Sequence, residues 1–204
     1  MTIPVEQLQS LNGFTIIELF ELKLIENIHY DPTSPNPPTV VLYRFHAGTN
    51  EINTDIKWQG NTYNAIACQA EGFETGDNTV MARPTLTFAN NLGTFSTLIE
   101  LVNQFSSFND LARAEVKRIR TLAQFLDNSN FAPIDGNPAT NPYGTADSTK
   151  ELEQQEFLIN KKVIENNQIC TFELVNTIDF EDLQLPKLQI TKDRFPAVGS
   201  FVFQ

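Results

Sequence analysis

The stretch TIIELFELKL, residues 15–24, decides the fold class of this chain of 204 residues. From Glu18 to Leu24 polar and apolar residues alternate, apart from the adjacent Leu19 and Phe20. Because successive side chains of a β-strand point to opposite faces, this period of two predicts a long strand with one solvated face. A helix would instead repeat its apolar residues every three to four positions.

Runs of β-branched and aromatic residues recur along the chain, and the 16 phenylalanines add to this bias toward sheet. Two pairs of these runs predict hairpins, with Gln59-Gly60-Asn61 and Asn166-Asn167 as their turns. The sequence therefore predicts an all-β protein. The predicted strands after the first are residues 40–45, 56–58, 62–66, 70–73, 84–89, 156–165 and 168–177.

Three segments carry helical signals. Residues 96–105 (STLIELVNQF) place apolar residues at helical spacing, with Ser96 as a candidate N-cap, and predict an amphipathic helix packed on the sheet. Residues 2–9 fit a short helix or an extended arm, since Pro4 is accepted in a first helical turn. Residues 114–126 match a helix by spacing and a strand by their Val, Ile and Thr content, so both remain open.

Proline-rich segments and a change in composition divide the chain. Residues 31–38 (DPTSPNPP) and 131–150 are predicted loops, because proline cannot donate a ladder hydrogen bond. A loop as long as the second often forms functional contacts. The composition changes after Asn90, which predicts a domain boundary there. The predicted domains are residues 1–90, with or without 183–204, and residues 91–182.

No residues stand at the spacing of a metal or cofactor site. His29 and His46 form no HxH or HExxH pattern, and Cys68 and Cys170 form no CxxC pair. We therefore expect no metal ligand and no cofactor. Two reduced thiols suit synthesis in a reducing cytoplasm, while a disulfide between them remains open.

No catalytic motif is present either. The chain lacks the GxSxG, GxxxxGK[ST] and GxGxxG patterns. The densest acidic cluster, Asp179 with Glu181 and Asp182, lacks the spacing of a calcium loop and predicts a solvated turn, as does Asp135-Gly136-Asn137. A carboxylate pair for glycoside hydrolysis remains open, but we expect no enzyme and no catalytic residue.

Charge narrows the set of partners. There are 14 Lys and Arg against 25 Asp and Glu, a net charge of −11, which disfavours binding to phosphates or anionic lipid through the overall field. One local basic group predicts either a surface for single-stranded nucleic acid or sugar, or a face that meets an acidic neighbouring subunit. The group is Arg113, Lys117, Arg118, Arg120, Lys161 and Lys162, with Phe125 and Phe131 near it in sequence.

The N-terminal residues MTIPVEQLQSLNG do not match a secretory signal, since no cationic start precedes an apolar core. No apolar run reaches the roughly 20 residues that span a bilayer. We therefore expect a soluble protein that is not exported and not inserted in a membrane.

Four motifs occur in an order that resembles a known family. They are IKWQGNTY at residues 56–63, GFE at 72–74, RPTLTFAN at 83–90 and AQFLD at 123–127. These motifs resemble those of the minor tail protein L family of lambda-like phages, and the likeness covers most of residues 15–190. It favours a strand for residues 114–126. Phe157, Ile159, Phe172, Leu174 and Pro186 continue the likeness.

The resemblance has one departure. The lambda type carries a cysteine-rich C-terminal extension associated with an iron–sulfur cluster, whereas this chain ends at Gln204 without that pattern. No cluster is therefore implied for Cys68 and Cys170. The shorter form is similar to the distal tail proteins of siphophages, which implies a hexameric ring where the tail tube meets the tip. It also implies a tube-type β-sandwich or barrel domain and a second small β-barrel, of OB type in some members.

The resemblance implies a structural protein of the tail tip and not an enzyme. Its expected partners are further copies of itself, the tail tube protein, and hub or fibre proteins of the tip. Its expected place is the virion tail tip, after synthesis in the host cytoplasm. DNA that passes through the channel of such a ring must not be retained there, and the net negative charge disfavours its binding. The alternative is a carbohydrate-binding module that contacts the host surface.

Overall fold

The structure is a computed structural model that describes residues 3–8, 15–34, 37–38, 40–48, 54–73, 83–90, 93–131, 133 and 138–177. Within these residues the strands are β1 (Ile16–Lys23), β2 (Leu42–His46), β3 (Ile56–Trp58), β4 (Asn61–Ala65), β5 (Cys68–Glu71), β6 (Thr85–Ala89), β7 (Glu115–Leu122), β8 (Gln155–Glu165) and β9 (Ile169–Val175). The α-helices are α1 (Val5–Leu8) and α2 (Thr94–Phe105), and 3-10 turns span Ala123–Phe125 and Asn128–Asn130.

All nine described strands belong to one mixed sheet, in the order β3-β4-β2-β1-β7-β8-β9-β6-β5. Only β2 and β4 pair in parallel, and the other neighbours are antiparallel. The all-β prediction is confirmed, and residues 114–126 contain a strand. The sheet joins strands from both sides of Asn90, because β1 pairs with β7 and β6 pairs with β9. The domain boundary and the OB-like barrel stay predictions.

Strand β1 is buried on both faces. Ile17 and Leu19 point into one hydrophobic core, called the small core below, whereas Phe20 and Leu22 point into another, called the large core. Neighbouring strand residues face opposite sides, so the buried positions change from odd to even numbers along β1. The two cores therefore lie on opposite sides of one strand.

Phenylalanine rings fill the large core around Phe88 of β6. Its ring centroid lies 4.0 Å from that of Phe95, 4.9 Å from that of Phe45 and 6.1 Å from that of Phe172. Each such pair stabilises the fold by roughly 0.5–1.5 kcal/mol beyond the burial of its area. Phe95 belongs to α2, so the helix packs on the sheet as predicted.

Helix α2 begins at Thr94, and the prediction that Ser96 is its N-cap is wrong. The N-cap is Gly93, which has a φ of 65° in the left-handed region. The Ser96 amide donates to Oδ1 of Asn90 at 3.4 Å, and the Ser96 hydroxyl donates to Glu165 at 2.7 Å. The side chain of Asn90, which precedes the helix in the sequence, thus accepts a hydrogen bond from an amide of the first helical turn.

The predicted hairpin of β3 and β4 is confirmed and covers the small core. Trp58 and Tyr63 are almost fully buried there. Gln59 and Gly60 at the turn both have positive φ, 52° and 74°, which is the backbone that a type I′ hairpin turn requires. The Tyr63 hydroxyl donates to the Glu21 carboxylate at 2.9 Å, so the hairpin is also tied to β1.

Candidate interaction surfaces

Carboxylates of the same chain engage the lysines of the predicted basic group. Nζ of Lys117 lies 3.7 Å from Glu156, and Nζ of Lys161 lies 3.4 Å from Glu173. Exposed pairs of this kind add at most about 1 kcal/mol to stability, but they reduce the positive potential that a phosphate would meet. These lysines therefore do not form an open cationic surface.

Arg118 is an enclosed cation of the group, with 12% of its side chain exposed. Its guanidinium pairs with Glu18, donates to Gln155 at 2.9 Å and lies 4.7 Å from the centroid of the Phe73 ring. Arg120 lies opposite Glu18 in the sheet register. Burial, and then the charge of Arg118, lower the pKa of Arg120, while nearby carboxylates raise it. Strand β7 thus brings these cations together, as predicted, but against acidic residues of β1.

The two aromatic residues of the group do not support a nucleic-acid surface. Phe125 is buried in the small core, and Phe131 packs on Tyr143 with their ring centroids 6.0 Å apart. Arg113 lies before β7, and its amide donates to the Ile159 carbonyl at 2.8 Å. Base stacking needs exposed rings beside the cations, and Phe125 cannot supply one.

Both histidines are structural. Nδ1 of His29 accepts a hydrogen bond from the Ile25 amide at 2.8 Å, and its Nε2 donates to the Ala112 carbonyl at 2.9 Å. His46 repeats this arrangement with two backbone groups of the segment that follows it. These bonds require neutral rings, and burial lowers the pKa of both histidines. Both nitrogens of each ring are thus occupied by protein groups.

Phe88 stands between the two cysteines. Cys68 of β5 lies opposite Phe88 of β6, and Phe88 lies opposite Cys170 of β9. Two strand spacings separate the cysteines by about 10 Å, which is beyond the reach of a disulfide. Both thiols are free, and burial raises the pKa of each to about 12. A disulfide between Cys68 and Cys170 of one chain, which the sequence alone could not decide, is therefore excluded.

His, Cys, Asp and Glu side chains of the described ranges form no group of three that could hold a metal ion. Asp31 and Asp147 each close a short turn by accepting from the residue two positions later. The acidic cluster at 179–182 and the turn at 135–137 lie outside the described residues. In the part of the chain described, no helix is long and apolar enough to cross a membrane.

A side chain closes the sheet at β3, one end of the strand order. Oδ1 of Asn130 accepts from the Lys57 amide at 2.5 Å, and its Nδ2 donates to the Lys57 carbonyl at 2.7 Å. Asn130 thus takes both hydrogen bonds that a further strand would form at Lys57. Asp127 accepts from the Gly60 amide at 3.1 Å. The β3 edge is therefore protected against pairing with another chain.

The segment that follows α2 exposes an aromatic ring on a strained backbone. Phe108 is 93% exposed and has a φ of 60°. Asp110, Leu111 and Arg113 also have positive φ, so four of six consecutive residues are left-handed. This conformation is uncommon for residues other than glycine, asparagine and aspartate, and it is maintained only where surrounding contacts enforce it.

Contacts with α2, β8 and the large core enforce the conformation of this segment. Asn103 of α2 donates to the Asp110 carboxylate at 2.8 Å and accepts from the Asp110 amide at 2.9 Å. Lys162 donates to the same carboxylate at 2.8 Å. Burial raises the pKa of Asp110, but these hydrogen bonds outweigh it and leave the pKa lowered. Leu111 is fully buried in the large core. Phe108 is thus held facing solvent.

An open cleft, called the α2 cleft below, lies between this helix and the proline-rich loop. Its volume is about 490 Å³. Asp31 is the one charged side chain among its described lining residues, since His29 is neutral. The size suits a small ligand or a protruding side chain. Its apolar lining comes from Tyr30, Pro37, Pro38, Leu101 and Phe105.

Neither Phe108 nor the contacts of Asp110 with Asn103 and Lys162 were predicted from the sequence. A usable signal was present, because Leu101 and Phe105 of α2 and Phe108 after it follow helical spacing, so that an apolar face continues past the end of the helix. The left-handed backbone that exposes Phe108 has no signature in its residue types, apart from Asp110.

Known proteins match this chain over most of the sheet. The sequence profile of the family described as phage minor tail protein L matches residues 39–198. Tail tip protein L of Escherichia phage lambda is 31% identical over 112 residues, which cover 55% of this chain and 45% of that protein. The match thus spans less than half the length of this curated relative.

Proposed function

Because the chain belongs to the phage minor tail protein L family, we propose that it builds the tail tip by assembling with copies of itself into a ring. The family match over residues 39–198 is the observation that carries this proposal. Membership makes the chain a structural protein of the phage tail, which contacts other tail components. In the proposed arrangement, a hexameric ring joins the tail tube to hub or fibre proteins and leaves a channel for DNA.

The fold supports a role as a rigid building block. Nine described strands form one hydrogen-bonded sheet, and a hydrophobic core packs on each side of β1. A closed ring requires two different patches on each copy that fit each other. Asn130 protects the β3 edge from strand pairing, so contacts between copies are expected elsewhere.

The charge distribution supports passage of DNA without retention. The chain carries 25 acidic against 14 basic residues, and Lys117 and Arg118 of β7 are paired with acidic residues of the same chain. DNA binding draws much of its free energy from cations that replace counterions on phosphates. A channel lined by this protein would lack that contribution.

A carbohydrate-binding role is the second candidate. Aromatic and proline side chains line the α2 cleft, and flat apolar faces of this kind also accept sugar rings. A glycan array with the isolated protein tests this candidate. Saturable glycan binding that is abolished by a bulky substitution in the cleft would favour the carbohydrate-binding role over the ring.

Two measurements test the proposed function. Antibody-labelled virions viewed by electron microscopy should carry the label at the tail tip, and label on the head or along the tube would contradict the proposal. Light scattering coupled to size exclusion should detect a closed oligomer that grows no further with protein concentration. A chain that stays monomeric at every concentration would contradict the ring.

A further inference from the structure

We propose that the guanidinium of Arg120 in one copy binds the carboxylate of Glu26 in the next copy, and that this ionic contact orients successive copies. The inference rests on the proposed ring and assigns one contact within it. The contact joins a cation near the first residues of β1 to a carboxylate that follows the last residue of this strand.

Arg120 lacks a counter-charge of its own. Arg118 and Arg120 point to the same side of β7, because they are two residues apart in a strand. Glu18 of β1 lies opposite Arg120, but its carboxylate forms an ion pair with Arg118. Nε of Arg120 is buried, and the side chain neither donates to nor pairs with any residue in the described part of the chain. Two cations therefore share one carboxylate.

The free chain keeps the charge of Arg120 at a cost. Arg120 is half-buried, and burial of a charge without a counter-charge is unfavourable. Burial and the charge of Arg118 lower the pKa of Arg120, and they outweigh Glu18 and Glu153, which raise it. Arginine nevertheless stays protonated at neutral pH. A carboxylate from outside the chain would meet a partly desolvated cation, which it can bind through two parallel hydrogen bonds.

The other end of β1 is anionic. Residues 24–41 and 93–112 contain Glu26, Asp31, Glu100 and Asp110 but no Lys or Arg. Both segments line the α2 cleft, so they lie at the same end of the molecule. Glu26 and Glu100 are exposed, and neither pairs with a cation within the described ranges. Complementary charges of this kind orient partners and disfavour wrong ones.

A rigid turn presents Glu26 to solvent. The Asn27 amide donates to the Tyr30 carbonyl, and the His29 amide donates to the Ile25 carbonyl, both at 2.9 Å. The ring of the buried His29 also accepts from the Ile25 amide at 2.8 Å. The turn is therefore in place before a partner arrives, which removes part of the entropy cost of binding. Glu100 instead lies in the middle of α2.

The distance between the two groups fits a ring. Glu18, which lies opposite Arg120, and Lys23 at the end of β1 are five residues apart, or roughly 17 Å at about 3.4 Å per residue. Glu26 lies beyond Lys23, so it cannot reach Arg120 of its own chain. Every copy carries both groups at different ends. Each copy can therefore bind one neighbour through Arg120 and another through Glu26, as a ring of identical subunits requires.

Three substitutions in the full chain test the contact. Arg120→Gln and Glu26→Gln each remove one charge and should lower the association constant about tenfold or more, measured by sedimentation velocity at about 150 mM salt. Arg120→Gln should keep or raise the melting temperature of the monomer, because it removes a half-buried charge. Glu100→Gln removes an exposed carboxylate at the same end and is the matched control, which should not weaken association.

Exchange of the two charges gives a sharper result. Arg120→Glu and Glu26→Arg each bring like charges together and should abolish association. The double variant Arg120→Glu with Glu26→Arg restores an opposite pair, so it should form the same closed oligomer as the wild type. This rescue is expected only if position 120 of one copy contacts position 26 of another.

The outcomes separate this inference from the ring itself. If the wild type forms a ring and Arg120→Gln forms it equally well, the contact is wrong and the ring stands. If the wild type never associates, both are wrong. Failure of the charge exchange to restore association, an equal loss in Glu100→Gln, or a lower melting temperature of Arg120→Gln would each overturn the contact.

Discussion

Leu19 and Phe20 are consecutive residues of β1, both are fully buried, and each packs into a different hydrophobic core. One backbone segment therefore supports both the small core and the large core. Both cores depend on the position of β1. Loosened packing in one core should therefore displace this strand and weaken the packing of the other core. The cooperativity of the fold can be measured from these two positions.

Leu19→Ala and Phe20→Ala should each destabilise the protein, by about 2–5 and 3–5 kcal/mol respectively, because each leaves a cavity in a packed core. Fluorescence of Trp58, the single tryptophan, reports the small core, and far-UV circular dichroism reports the whole sheet. We expect both signals to follow the same urea transition in both variants. Ile16→Ala, at a position 37% exposed, is the control with a small effect. Separate transitions would instead show that the small core and the large core unfold independently.

The sequence predicted β1 because its alternation from Glu18 to Leu24 is a local property. It did not predict that the strand is buried on both faces, since that depends on which elements pack on each side. The β3–β4 hairpin was equally predictable, because Gly60 between two β-type runs is a local turn signal, although the left-handed Gln59 beside it gives no such signal. The cap of α2 was missed because Asn90 acts across a loop.

The candidate surfaces were harder to predict from the sequence than the fold. The basic residues of β7 were found, but their pairing with carboxylates of β1 and β8 depends on the strand register, which places Glu18 opposite Arg120 and Glu156 opposite Lys117. Composition alone leaves such cations apparently free. Phe108 was missed because its exposure follows from a left-handed backbone that distant contacts impose.

Acidification below the usual pKa of histidine should destabilise the protein. Burial lowers the pKa of His29 and His46 in the folded state, so the unfolded chain binds protons first as the pH falls. The contribution of the two neutral histidines to the free energy of unfolding is therefore fully present above about pH 6.5. It declines below that pH, by up to about 1.4 kcal/mol per pH unit for each ring. Urea titrations between pH 7.5 and about 5.5 measure this slope, and His29→Gln should reduce it. An unchanged slope in that variant would show that His29 does not titrate as argued.

Both thiols should resist modification in the native protein. The raised pKa of Cys68 and Cys170 leaves little thiolate at pH 8, and Cys170 is completely buried. An aromatic disulfide reagent should label two thiols rapidly in denaturant and both slowly in buffer, with the half-buried Cys68 reacting first. Rapid labelling of Cys170 in buffer would contradict the packing around Phe88.

Asn130→Ala should destabilise the β3 edge and promote association. The substitution removes both hydrogen bonds to Lys57 and leaves its backbone groups to water or to another strand. We expect a loss of about 1–3 kcal/mol and more aggregation on heating, measured by calorimetry and light scattering. Ser129→Ala, at the exposed neighbouring position, is the matched control. Equal behaviour of the two variants would contradict the protective role of Asn130.

The protein should not bind duplex DNA, and removal of particular carboxylates should create such binding. Lys117 and Arg118 pair with Glu156 and Glu18, so their charges are cancelled within the chain. At physiological salt the repulsion from an acidic surface acts over about 8 Å, which is enough to oppose close approach of phosphates. We therefore expect no binding by the wild type at micromolar concentration and about 150 mM salt.

The double variant Glu18→Gln with Glu156→Gln removes both carboxylates, leaves the 32% exposed side chain of Lys117 free to contact a phosphate, and should bind duplex DNA measurably at low salt. Each new phosphate contact should steepen the dependence of log K on log salt by about 0.9, because a condensed counterion is released with it. Glu26→Gln with Glu100→Gln changes the net charge equally at exposed carboxylates elsewhere and is the matched control. If both double variants bind alike, net charge alone governs DNA binding and the pairing on β7 has no specific role. If the wild type already binds at 150 mM salt, the proposed passage of DNA through a non-retaining channel is wrong.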